Sequence, residues 1–303
     1  MEIIGFIVSL LVGVYIVVVV EGWANTGTLR LAAPILGAIA LLGQESPLPR
    51  KADRWLFEVA PLLLLVASVL VLAVIPLAPG LIVTDLATGA LFINAALAYV
   101  MVALVMSGWG PNGVYAMVGG WRFLAQLVAY SMLIVMPLAA VAMRAQSLFT
   151  SVIVSSQASL WNALAQPLGF VLFVLAAMEV SFLPPFDLPD APGELAGGVA
   201  GEYTGVRLAV FRLGRLVLVL ALASAITTFY LGGSQGPLLP GPIWTALKIV
   251  AVICLMLAGG RFLPRLREET LMEWSWKLGV PLALVNLLGG RNFATGKGVV
   301  RFS

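Results

Sequence analysis

Long apolar runs broken by short polar ones dominate the chain. A transmembrane helix needs about 20 largely apolar residues, and eight stretches reach or approach that length, near 2–20, 57–79, 86–107, 121–143, 163–183, 209–231, 242–260 and 276–290. The last is short. The first runs into Glu21 with no small-residue cleavage site, so it reads as an anchor rather than a signal peptide. Segment 29–42 (LRLAAPILGAIALL) is apolar but too short to cross, and Pro34 and Gly37 weaken it as a free helix, so it suits the membrane interface. The pattern predicts an all-α integral membrane protein, a polytopic bundle of about eight transmembrane helices with an interfacial amphipathic helix after the first. No tandem repeat or soluble domain interrupts it, and residues 1–303 form a single membrane domain.

Composition agrees. The chain is 61% hydrophobic and 10% charged, with a mean hydropathy of +1.06, where a soluble domain carries roughly a quarter charged residues. With the N-terminus outside, the inside loops are 21–56, 108–120, 184–208 and 261–275. These loops and their flanks hold Arg30, Arg50, Lys51, Arg54, Arg122, Arg207, Arg212, Arg215, Arg261, Arg265, Arg267 and Lys277; outside lie Arg144, Arg291, Lys297 and Arg301, with Lys248 inside a span. Twelve against four places the charged loops on the cytoplasmic side of the cell's inner membrane. The net charge of +3 is then a topology signal and marks no nucleic-acid partner.

The chain has no histidine, which excludes His-ligated haem, His-held metals and His acid–base chemistry within it. Its single cysteine, Cys254, lies in an apolar run and cannot hold an iron–sulfur cluster or an internal disulfide. The chain by itself is expected to bind no cofactor or metal and to be non-catalytic; redox centres would belong to partners.

The densest acidic stretch, PPFDLPDAPGELAGGVAGEYTGVR, runs from Pro184 to Arg207 directly after an apolar span. Asp187, Asp190, Glu194 and Glu202 supply four of the chain's 14 acids within 16 residues. A solvated loop would account for them. Its Pro, Gly and aliphatic content also suits packing, and carboxylates shielded at a membrane boundary have raised pKa values.

PFDLPDAPGEL followed by GEYTGVRLAVF resembles the most characteristic loop of the H subunit of respiratory complex I (subunit 1 in mitochondria), typically PFDLPEAExELVxGxxxEYSG. ESPLPRKADRWLFEVAP at 45–61, GWRFLAQLVAYSM at 120–132, TTFYLGGSQGP at 227–237 and RFLPRLREETLMEWSWKLGVPLALVNLL at 261–288 are similar to further landmarks of that family, in family order. The resemblance implies a subunit that joins the membrane arm to the hydrophilic arm. It also implies a quinone bound at the interface with a partner whose iron–sulfur clusters approach it, and carboxylates that link quinone chemistry to proton movement. Related subunits anchor group 4 membrane-bound nickel–iron hydrogenases.

The departures from the family fall on functional positions. Between Glu21 and Glu45 the chain is about ten residues shorter than the family pattern, and of the basic cluster there only Arg30 remains. The interfacial helix has Ala33, Gly37 and Ala40 where the family has Gln, Asp and Lys. The family's Glu in the fifth span and its nearby basic residue correspond to Val180 and Leu183; Glu179 sits one residue early, about 100° around a helix. The family's Glu in the sixth span aligns with Arg215, and one loop acid is Pro192. A pair of Glu179 with Arg212 or Arg215 is one compensation the sequence allows.

The leading expectation is a membrane-arm subunit of a complex I-like oxidoreductase. Its proton-coupling and quinone-chamber candidates are Glu21, Glu45, Glu179, Asp187, Asp190, Glu194 and Glu202, and its partner-docking candidates are Arg54, Arg122, Arg261, Arg265 and Arg267. Its partners would be other membrane-arm subunits, a peripheral iron–sulfur module and the lipid bilayer. The alternative is a structural anchor with a degenerate quinone site, in a group 4 hydrogenase-like or other complex. An independent transporter would need a mid-membrane site in a repeat or broken helix, and the charges here gather at one face.

Overall fold

The computed structural model describes residues 2–28, 31–78, 80–191, 193–236, 240–262 and 264–295. Arg30, Pro192, Lys297 and Arg301 lie outside these residues, as does the side chain of Arg291. Each of the eight apolar segments holds helix. In chain order the helices are α1 (Glu2–Thr26), α2 (Ala33–Leu42), α3 (Arg54–Ala73), α4 (Gly89–Trp109), α5 (Val114–Ala145), α6 (Thr150–Ser155), α7 (Asn162–Ala165), α8 (Pro167–Val180), α9 (Gly205–Tyr230), α10 (Gly241–Phe262), α11 (Glu268–Trp274) and α12 (Val280–Thr295). A π-helical turn, Ser275–Gly279, joins the last two.

Six of them, α1, α3, α4, α5, α9 and α10, are long and apolar enough to cross a membrane. Helix α8 has 14 residues, about 21 Å at 1.5 Å per residue, short of a hydrocarbon core of about 30 Å. Its chain continues at the C-terminal end as largely buried irregular backbone, an arrangement tolerated at membrane depth only where protein covers it; at the other end Gln166 separates it from the short helix α7.

Helix α9 forms the centre. Every residue from Val217 to Tyr230 is buried, as a helix apolar on all faces requires. Helix α1 lies at the periphery, with Ile3, Ile4, Val8 and Leu11 exposed. The segment expected to form an interfacial amphipathic helix is helical, as α2, but it is not amphipathic. Its ten residues carry no polar side chain and none is buried, so its faces differ only in size: Ala33, Gly37 and Ala40 on one, Ile35, Leu36, Ile39 and Leu42 on the other.

The two ends of the bundle are tied differently. At one end, Asp53 caps α3 by accepting from the backbone N–H of Trp55 at 3.1 Å, and its own N–H donates to Gly110 O at 2.8 Å. Six tryptophans, Trp23, Trp55, Trp109, Trp121, Trp274 and Trp276, are exposed there, as in the aromatic belt of a membrane boundary. At the other end, the last carbonyls of α9 have no partner in their own helix. Gln157 Nε2 donates to Thr228 O at 2.8 Å, Asn162 Nδ2 to Phe229 O at 2.7 Å and Lys248 Nζ to Leu231 O at 2.6 Å. Water is replaced by side chains of neighbouring elements.

Helices α4 and α5 cross where Gly108 meets Gly120; a Cβ on Gly108 would lie 2.9 Å from Ala116 O and Gly120 Cα. Because those atoms are backbone, Gly108→Val is expected to destabilise the protein by about 1–3 kcal/mol. Gly22→Ala, where a Cβ meets nothing, should leave stability unchanged or slightly raised. Thermal unfolding of the purified variants measures both, and equal midpoints would refute this account of the crossing.

Candidate functional site

The acidic stretch is a packed plug rather than a solvated loop. Phe182, Leu183, Phe186, Leu195, Val199 and Tyr203 are buried. The backbone doubles back on itself, and Gly198, at φ +44°, sits where a Cβ would fall 1.8 Å from Pro189 O. Tyr203 is sandwiched between Phe57 (centroids 4.4 Å apart, 5° between planes) and Phe211 (5.7 Å), and the Arg207 guanidinium lies 5.6 Å from the Phe57 ring centroid. This stack joins the end of the loop to α3 and α9. Ser46 Oγ donates to Thr204 O at 2.9 Å and Arg207 Nη1 to Ser46 O at 2.8 Å, so the chain after α2 is tied to the same place.

Between this plug, the end of α1, α9 and the end of α10 lies a cleft of about 490 Å³. Glu21, Asp187, Asp190, Arg212, Arg215 and Arg261 line it, among Phe182, Leu208, Tyr203, Phe211 and Leu257. Asp187 is buried and pairs with Arg265 at 2.9 Å; Asp190 pairs with Arg215 at 3.7 Å. Arg261 reaches the carbonyl of Ala24 and ties α10 to α1. Burial raises the pKa of Asp190 above its ordinary value; Arg215 opposes the rise, Asp187 adds to it and Arg212 opposes it again.

The cleft thus gathers three of the seven predicted acids. Glu194 is exposed and pairs with Arg122 at 2.7 Å; Arg122 also lies 3.9 Å from Glu268. Glu202 and Glu45 are exposed outside the cleft. Glu179 faces inward from α8 and is buried, and its Oε2 has no hydrogen-bond partner among the described residues. The pair of Glu179 with Arg212 or Arg215 does not form. Arg215 instead donates to Ser181 O at 3.3 Å and Phe182 O at 3.0 Å on its way to Asp190, and Arg212 is exposed at the cleft. The reversed sign at position 215 thus supplies a countercharge to Asp190.

Among the predicted docking arginines, Arg122 and Arg265 are engaged within the chain, and Arg54 pairs with Glu58 at 3.0 Å. Arg267 is exposed with no ion pair among the described residues. Sequence reasoning passed over Gln126 and Tyr130, one helical turn apart on α5. Gln126 Nε2 donates to Glu179 O at 2.9 Å and Phe186 O at 3.1 Å, holding α8 and the plug against α5. The signal was their i, i+4 spacing inside an apolar span.

The fold and cleft together define a polytopic membrane subunit with a charged, aromatic-walled mouth at one end of the bundle. Among proteins of known class, the family model described as NADH dehydrogenase matches residues 4–289. The H subunit of NADH-quinone oxidoreductase from Syntrophotalea carbinolica is 35% identical over 276 residues, which is 88% of this chain and 82% of that protein. The H subunit numbered 2 of Geobacter sulfurreducens is 38% identical over 277 residues (88% and 84%), and the H subunit of Geobacillus kaustophilus 36% over 266 residues (86% and 80%). The chain belongs to the NADH dehydrogenase family, that of the complex I H subunit.

Because its pKa is raised, Asp190 keeps its proton at a pH where an exposed aspartate has lost it. Its contribution to folding is fully present below the ordinary carboxylate pKa and is lost as pH rises through the raised value. Arg215→Leu removes the main opposing charge and should move the protonated-carboxyl infrared band that Asp190→Asn abolishes to higher pH still. An unmoved band contradicts the assignment of the countercharge.

Proposed function

We propose that this chain is the membrane-arm subunit on which a complex I-like oxidoreductase seats its peripheral electron-transfer module, at the end of the bundle where the cleft opens. The observation that carries this reading is the convergence of Glu21, Asp187 and Asp190 with Arg212, Arg215 and Arg261 in one aromatic-walled cleft. Phe182, Tyr203, Phe211 and Leu257 suit a flat quinone headgroup, and carboxylates beside it suit the exchange of protons that accompanies quinone reduction. The relatives are subunits of NADH-quinone oxidoreductases by name. With one cysteine and no histidine, iron–sulfur clusters would be held by partner subunits. Glu194 and Glu202 at the exposed rim, with Arg54 and Arg267, would face that module, while Arg122 and Arg265 pair with acids of the plug and Arg261 ties α10 to α1. The charged end and its tryptophans would then be cytoplasmic, with the N-terminus outside.

Specific features favour a second reading, a structural anchor in a complex that does not use quinone. Asp187 and Asp190 are already paired with arginines, and α2 offers no polar side chain.

Replacing Asp187 and Glu202 singly with Ala in the assembled complex tests the first reading. Asp187→Ala should lower coupled turnover on the order of tenfold or more, and Glu202→Ala should weaken retention of the peripheral module. Unchanged turnover and unchanged assembly in both would remove the proposal. Quinone and quinone-site inhibitor binding to the whole complex separates the readings, since a pure anchor binds neither.

A further inference from the structure

Lys248 is a lysine inside a membrane-crossing helix, buried to 5% exposure, at the end of the bundle opposite the cleft. Its Nζ donates to three backbone carbonyls: Leu231 O at 2.6 Å, Gly233 O at 3.0 Å and Gln235 O at 2.7 Å. The ring faces of Trp161 and Trp244 close over it, with centroids 4.6 Å and 5.5 Å from Nζ. An ammonium has three N–H donors and no acceptor, so three carbonyls use it completely. A neutral amine has only two donors and would set a lone pair against the third oxygen. The arrangement is a cage for a cation. No acid pairs with Lys248 among the described residues, so its charge is offset only by carbonyl dipoles, the C-terminal end of α9 and the indole faces.

Between the cleft and the cage lie two groups of buried polar side chains with an aromatic stretch of α8 between them. From the cleft side come Gln126, Glu179 and Tyr130, on α5 and α8. Phe170 and Phe173 follow on α8, both 5.7 Å from the Tyr230 ring. Then come Tyr230, Thr228 and the cage itself, flanked by Gln157 and Asn162. A proton or metal cation leaving the bundle by this end would meet a positive charge buried among protein groups, where its repulsion is stronger than in water.

We propose that Lys248 is an electrostatic seal that makes the acidic cleft exchange protons with one side of the membrane only. This rests on the reading of the cleft as a site of proton exchange. The seal is nonetheless measurable without turnover, so the two can fail separately.

The test uses the whole complex reconstituted in liposomes of neutral phospholipid, with an imposed potassium diffusion potential, an internal pH dye and no electron donor. Lys248→Met keeps the length of the side chain and removes the charge. It should raise passive proton conductance about tenfold while electron transfer by the detergent-solubilised complex stays within about twofold, because Lys248 lies far from the cleft lining. In Lys248→Ala, ethylammonium should enter the vacated cage and reduce the leak, whereas tetraethylammonium, with no N–H to donate, should not. An assembled Lys248→Met complex as tight as wild type overturns the proposal, whatever becomes of the Asp187 variants. If neither variant assembles, acylation of the native complex by an amine-reactive ester decides. Lys248 should stay unmodified while the exposed Lys51 and Lys277 react, and modification of Lys248 at their rate overturns it.

Discussion

Inside hydrocarbon a backbone or side-chain polar group has no water to turn to, and leaving it unpaired costs several kcal/mol. Much of this molecule's design follows from that constraint. Gln126 bridges Glu179 O and Phe186 O, and thereby fixes where α8 stops and the plug begins. Gln157, Asn162 and Lys248 close the last carbonyls of α9. Asn286 Oδ1 accepts from Gly169 N at 3.1 Å and joins α12 to α8. These few side chains position the non-helical backbone that the bundle encloses.

The same economy explains the plug. A loop with four acids beside a membrane would ordinarily stay in water. Here its aromatic and aliphatic residues pack inward, and Asp187 and Asp190 are drawn in with them because Arg265 and Arg215 meet them. Such partly buried ion pairs gain little net stability once screening and desolvation are counted. Their value is that each holds a carboxylate at a chosen place; for Asp190, burial also raises the affinity for a proton, against the pull of Arg215. Glu194 and Glu202, on the same loop, remain outside in contact with solvent.

The two ends of the bundle therefore differ in kind. The cleft end has charges of both signs, a tryptophan rim and a cavity. At the far end two side-chain amides and an ammonium donate to backbone carbonyls at and just beyond the end of α9. This asymmetry fits a subunit that meets a soluble module on one side and closes the membrane on the other.

The sequence by itself determined the helical bundle, its eight apolar segments and its family. Those rest on local quantities, the length of apolar runs and the order of short motifs, which need no knowledge of what packs against what. It also flagged the acidic stretch, because four carboxylates in 16 residues stand out in a chain this apolar. It did not determine which carboxylates share a cleft. Glu21 shares a cleft with Asp187 and Asp190 because α1 ends beside α9 and α10. Only the tertiary structure sent Arg215 to Asp190 rather than to Glu179, because two carbonyls at the end of α8 steer its guanidinium there. Only it revealed the setting of Lys248, since the three oxygens that cage it belong to backbone, and backbone carbonyls look the same at every position of a sequence.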